Sequence, residues 1–136
     1  DLPALIAATL EPLRTEHGLR LGGPAVTLPS EMTLTLGLVL HELATNAAKY
    51  GAFSVPEGRV EIVWALRGEA AESRLILDWS EHGGPPVEQP ERRGFGRALI
   101  ERSVAYELDG SAELTFAPTG VRCHIEVPLR ARATQD

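Results

Sequence analysis

A single cysteine, Cys123, in 136 residues rules out an internal disulfide, and the four histidines are too scattered to give the paired ligand spacing of a zinc site. Thiol usage of this kind fits a reducing compartment, and the expected location is the cytoplasm. No apolar run approaches the ~20 residues that span a bilayer, and no basic leader precedes a short apolar stretch. Basic residues are few: 13 Lys and Arg stand against 19 Asp and Glu, for a net charge of −6, and Arg92-Arg93 is the one adjacent basic pair. Nonspecific affinity for nucleic acid comes from clustered cations, so that class is excluded. There is no internal repeat, no low-complexity tract and no P-loop of the G-x-x-x-x-G-K-[ST] form.

What remains is a chain of one-domain length, long enough to bury roughly 68% of its unfolded surface. It opens at Asp1 without a methionine, directly ahead of a helical pattern, and so reads as a piece of a longer protein. Leu2, Leu5, Ile6, Leu10 and Leu13 recur as on an amphipathic helix over Leu2 to Arg14. Short extended pieces are expected at Leu19 to Leu21 and Ala25 to Leu28, divided by the turn residues Gly22-Gly23-Pro24. A second helix runs from Ser30, read as its N-cap, through Lys49 until Gly51 stops it.

Beyond it, Val60, Ile62, Trp64 and Leu66 alternate within Arg59 to Arg67, and Leu75, Leu77 and Trp79 do the same in the following strand, joined through Gly68 to Glu72. Glu81 to Gly94, with three prolines, reads as a long loop, and a third helix spans Gly96 to Leu108. Asp109-Gly110 then turns the chain into strands at Ser111 to Ala117 and Val121 to Leu129, with Arg130 to Asp136 as a frayed end. Strands grouped in this way, rather than alternating singly with helices, imply an α+β sandwich whose mixed sheet is covered on one face by three helices.

The second helix carries an unusual polar row. Glu42, Asn46 and Lys49 are spaced by four and three residues and share one helical face, with Leu38, Val39, Leu43 and Ala47 behind them. Buried hydrogen bonding alone could account for any one of them. Together they suit a metal-bound phosphate: an amide oxygen is a neutral hard ligand for Mg²⁺, a carboxylate accepts from metal-bound water, and an ammonium meets phosphate oxygens.

Two further features fit the same chemistry. Gly94-Phe95-Gly96-Arg97 precedes a helix whose exposed N–H groups and dipole favour an anion. A Pro-rich polar loop stands before those glycines where a dinucleotide fold needs a strand, so the dinucleotide-binding fold is disfavoured. Glu81 closes the strand ahead of Gly83-Gly84, where an acceptor can read an amino group and backbone can approach a flat ligand.

Taken in order, H-E-L-x-x-N-A-x-K-Y, W-x-E-x-G-G and G-x-G-x-x-L resemble the ATP-binding domain of sensor histidine kinases, within the gyrase, chaperone and histidine kinase ATPase superfamily. His41, Trp79 and Glu81 resemble the three letters that name the HWE family of bacterial histidine kinases. The resemblance runs from Leu2 to Leu129 and implies the two-layer Bergerat-type α/β sandwich, with residues 1–136 as the catalytic domain and the sensor and dimerisation regions lying elsewhere.

Carried over by position, the resemblance implies that Asn46 ligates Mg²⁺, Glu42 binds it through water, Lys49 contacts phosphate oxygens and Tyr50 lies near the base. Glu81 would accept from the adenine amino group, Gly83 and Gly84 would let the base pack on backbone, and Gly94, Phe95, Gly96 and Arg97 would close on the triphosphate. Residues 84 to 93 would form a lid.

His41 has two readings, a hydrogen bond beside the phosphates or one to a neighbouring carbonyl, and Trp79 is expected mainly to pack. The implied activity is transfer of the γ-phosphoryl group of Mg·ATP to a histidine on the parent's dimerisation helices, with a response regulator receiver domain downstream. His17, His82 and His124 lack the helical setting of an acceptor. Cys123 is expected to point inward as inert core. The alternatives are a gyrase-like or chaperone-like ATPase and a catalytically silent nucleotide-sensing module.

Overall fold

Alternation at period two builds most of the sheet. In β2 (Arg59–Arg67), Val60, Ile62 and Trp64 are buried, and in β3 (Arg74–His82) Leu75, Leu77, Trp79 and Glu81 are. The computed structural model describes residues 1–12, 18–69, 72–85, 94–117 and 119–129, of which 94–97 are described by backbone only. The other strands are β1 (Leu19–Gly22), β4 (Ser111–Ala117) and β5 (Gly120–Pro128), and the five lie in the order β1-β2-β3-β5-β4. β1 runs parallel to β2, whereas the β2/β3, β3/β5 and β4/β5 pairs are antiparallel. The sheet is therefore mixed, as expected.

Three helices cover its inward face: α1 (Leu2–Leu10), α2 (Ser30–Tyr50) and α3 (Gly94–Glu107). α2 packs against both of the others. Its Leu36, Leu40 and Leu43, with Ile6 of α1, Ile100 and Val104 of α3, and Ile62, Leu77, Trp79 and Ile125 of the sheet, form one continuous core. Cys123 belongs to it, and burial pushes its thiol up to about 12, so it stays protonated and inert as expected.

Several boundaries differ from the sequence expectation. α1 ends at Leu10, because Pro12 has no N–H to continue the ladder. Residues 25 to 28 form no strand; the carbonyl of Val26 instead accepts the Leu2 N–H at 2.9 Å, and Trp64 Nε1–H ties the same segment down by donating to the Pro24 carbonyl at 2.7 Å. Ser30 is the first helical residue of α2, with Pro29 in the capping position, extended at φ −56° and ψ 145°. Leu66 is 44% exposed, beyond Val63, where the pairing of β2 with β1 ends. β3 reaches His82, which places Glu81 inside the sheet rather than after it. The turn at Asp109-Gly110 forms as expected, with Asp109 at φ 56°.

Candidate functional site

At the C-terminal end of α2 the polar row emerges from the core. Leu43, Ala44 and Ala47 are buried while Glu42 and Asn46 are half-buried and Lys49 is exposed, so the three share the face expected from their spacing. Among the described residues, their side chains have no hydrogen-bond or ion-pair partner. Tyr50, 49% exposed, ends the helix.

Immediately beyond, a single 3₁₀ turn over Ala52–Ser54 brings the chain against the end of β3. Glu81, 5% exposed, is the one charged residue among the described buried ones. Its Oε1 accepts the backbone N–H of Ala52 at 3.1 Å and its Oε2 accepts Trp79 Nε1–H at 3.0 Å. Two neutral donors thus hold the carboxylate under the tail of α2.

A Cβ on Gly51 would collide with Glu81 Oε1, so any other residue at the junction would have to displace the carboxylate from the Ala52 N–H. On the other side, Gly83 sits at φ +74°, and a Cβ on it would stand 2.7 Å from the Glu57 carbonyl oxygen. Gly84 follows against the backbone of Ala52. The structure therefore brings Asn46, Lys49, Tyr50, Glu81, Gly83 and Gly84 to one end of the molecule, around the 51–52 backbone.

His41 lies elsewhere on α2. It shares its stripe with Leu34 and Leu38, seven and three residues earlier, and together with Leu5, Ala8 and Pro12 of the α1 region lines an open apolar groove of about 490 Å³. Glu42, one residue on, is turned by about 100° around the helix. α3 begins at Gly94, two residues earlier than expected, so Gly94 and Gly96 lie in its first turn rather than ahead of it, and their backbone still stands at a helix N-terminus beside α2. The side chains of Phe95 and Arg97, and residues 86 to 93 of the expected lid, lie outside the described residues.

Sequence reasoning missed the bond between Trp79 and Glu81 and the part played by Ala52. The first was within reach: residues two apart on a strand face the same side, so W-x-E already aligns an indole with a carboxylate. The second is a backbone N–H at a turn, for which alanine carries no signal.

The opposite face of the sheet is solvated and charged. His124 of β5 contacts Asp78 of β3 through Nδ1 at 2.6 Å and its strand neighbour Glu126 through Nε2 at 3.0 Å. The bonds to Glu126 and then Asp78 hold the imidazole above its ordinary pKa, and the bond to His124 holds Glu126 below its own. Neither His82 on β3 nor His124 on β5 is helical, as expected; His17 lies outside the described residues.

No family model matches the chain. Among curated proteins it is 39% identical over 115 residues to a blue-light-activated histidine kinase of Brucella anthropi, a match covering 85% of this chain and 23% of that protein. The corresponding protein of Brucella ovis is 35% identical over 127 residues, covering 92% of this chain and 26% of the relative. The chain thus spans about a quarter of the length of these relatives.

In fold it is similar to the blue-light activated histidine kinase of Erythrobacter litoralis, with a TM-score of 0.67 at 20% identity over 98% of this chain and 42% of that one. The catalytic domain of the histidine kinase ThkA matches with a TM-score of 0.66 at 16% identity, over 95% of this chain and 94% of that domain. Related in sequence over most of its length, the chain belongs with the histidine kinases, and over nearly all of it shares the fold of a histidine kinase catalytic domain.

Proposed function

We propose that residues 1–136 are the ATP-binding catalytic domain of a two-component sensor histidine kinase of the HWE type, holding Mg·ATP and presenting its γ-phosphoryl group to a histidine on a separate dimerisation domain. The observation that carries this reading is the row of Glu42, Asn46 and Lys49 on one face of α2, ending where Glu81 is held beneath Gly51 and Ala52.

The donor set suits the ion and nucleotide. Among the described residues, no group of three His, Cys, Asp or Glu could hold a metal alone. A hard cation shared between an amide oxygen, water and phosphate oxygens needs no such group, and Mg²⁺ prefers that arrangement. Mg·ATP would supply the transferable phosphoryl group and the cation that offsets its charge. Asn46 then fixes the ion, Glu42 orders its water, Lys49 offsets phosphate charge and the N–H groups at the start of α3 receive an anion. Glu81 and the backbone at Gly83-Gly84 orient the adenine, with Tyr50 at its edge. The acceptor helices, sensor region and response regulator belong to the remainder of the parent and its pathway, in the cytoplasm. Among the described residues no helix is long and apolar enough to cross a membrane.

Thermal unfolding with and without Mg·ATP tests the binding step. Ligand at 100 times its dissociation constant adds about 2.7 kcal/mol of stability, which raises the midpoint by several degrees. Asn46→Ala is expected to leave the ligand-free midpoint within about 2 °C, since a half-buried side chain without a partner among the described residues contributes about 0.5 kcal/mol or less. The same variant is expected to abolish the shift and to lose phosphotransfer when joined to its acceptor helices. A variant that keeps both the shift and full transfer rejects the assignment. Phosphate released at the wild-type rate without any acceptor histidine identifies an ATPase instead. Nucleotide binding with no phosphate on the acceptor identifies a silent sensor.

A further inference from the structure

On the bare sheet face, at the end of β3 that carries Glu81 on its inner side, a cavity of about 310 Å³ is lined by Arg20, Arg59, Val60, Glu61 and His82. Three strands contribute its polar walls. The register sets Arg20 of β1 beside Glu61 of β2, and Arg59 of β2 beside His82 of β3. All four side chains point away from the core, because Leu19, Val60 and Glu81 take the alternating inward positions.

The charges do not neutralise one another. Glu61 leans to His82, with Oε1 and Nε2 4.0 Å apart, and not to either arginine. Among the described residues, Arg20 and Arg59 have no carboxylate partner, in a chain whose acidic residues outnumber its basic ones by 19 to 13. Two exposed guanidiniums without a described carboxylate partner, and an imidazole, thus gather around one cavity and suit the oxygens of an anion.

A hydrolytic triad is excluded. His82 meets Ser80 Oγ at 3.3 Å and Glu61 through the same nitrogen, Nε2, whereas a base must engage its acid and its nucleophile through different nitrogens.

We propose that Arg20, Arg59 and His82 form a binding site for an oxyanion group, a phosphate ester or a carboxylate, on the sheet face opposite the helices. The site is separate from the nucleotide cleft and does not depend on it. Glu61 is the group that opposes the anion, and it limits affinity.

The test is an NMR titration of the histidine rings with sodium phosphate and, separately, sodium malonate, against sodium chloride at matched ionic strength. His82 is expected to shift saturably with at least one of the two anions and not with chloride. Saturation by phosphate alone assigns a phosphate ester, and saturation by malonate alone assigns a carboxylate. Arg20→Gln and Arg59→Gln should each weaken binding by about tenfold or more, the loss of one charge-assisted pair. Glu61→Gln should tighten it, and Lys49→Gln, at the nucleotide cleft, should leave it unchanged. A His82 response that matches chloride, or one that persists in the double arginine variant with the spectrum otherwise intact, overturns the site.

Discussion

β3 carries two acidic residues three positions apart, and the sheet sends them to opposite worlds. Asp78 faces solvent with its side chain 48% exposed and meets the His124 ring at 2.6 Å. Glu81 faces the helices, 5% exposed, and its contacts to Ala52 N–H and Trp79 Nε1–H are longer, at 3.1 and 3.0 Å. The shorter contact is the weaker one for stability. Water competes for an exposed ion pair and salt screens it, whereas the buried N–H donors that face Glu81 have no water to turn to when it is removed.

The sharpest way to break this comparison is to remove each carboxylate in turn. Glu81→Leu leaves the Ala52 and Trp79 N–H groups buried without their acceptor, at roughly 1–3 kcal/mol each. The expected loss of about 2–6 kcal/mol lowers the melting midpoint by about 10 °C or more. Asp78→Asn should change stability by no more than about 0.5 kcal/mol, as exposed substitutions usually do. Equal losses measured by chemical denaturation would show that the inner hydrogen bonds do not hold the α2–β3 junction.

Next in size is Trp79→Phe, which keeps an aromatic ring in the core but deletes the Nε1–H donor. The carboxylate loses its indole donor and a small void opens, together costing about 1–3 kcal/mol. Because the Ala52 bond remains, the loss should be smaller than that of Glu81→Leu. Adding the two substitutions together should cost less than their sum, since both act on the same hydrogen bond. Additivity in that double-mutant cycle counts against the coupling of Trp79 to Glu81.

The same contrast explains what was legible in the sequence. Glu42, Asn46 and Lys49 could be placed on one face because helical spacing alone decides it, and the strand faces of β2, β3 and β5 followed from alternation. Periodicity says nothing about partners. Residues 25 to 28 look like a strand, but no neighbouring strand pairs with them, and the Val26 carbonyl is taken by the Leu2 N–H of α1. Leu66 continues the inward alternation of β2, yet it is 44% exposed while Leu75, its partner across the pair, is buried. His41 is next to Glu42 in sequence and lies on another stripe of α2, in a groove that exists only because α1 packs there. The candidate site was readable where it depends on side chains of one helix, and unreadable where it depends on the 51–52 backbone meeting β3.

The smallest expected effect belongs to the outer cluster, and its pH dependence separates it from the inner one. His124, bonded to Glu126 and Asp78, has its pKa raised above the usual 6.5, so its contribution is fully present below that value and is lost as pH rises through the raised one. Glu126 has its pKa lowered from 4.5, so its contribution is present above that value and is lost as pH falls through the lowered one. The cluster therefore supports the β3–β5 pairing most between these limits, in mildly acidic solution. Both side chains are about 40% exposed, so solvent and salt shrink the effect well below what the short distances suggest. His124→Gln should flatten the slope of stability above pH 6.5, and high salt should flatten it in the wild type. If His124→Gln leaves the wild-type slope intact at low salt, the imidazole is not the group that titrates, and the outer carboxylates contribute nothing that the inner one lacks.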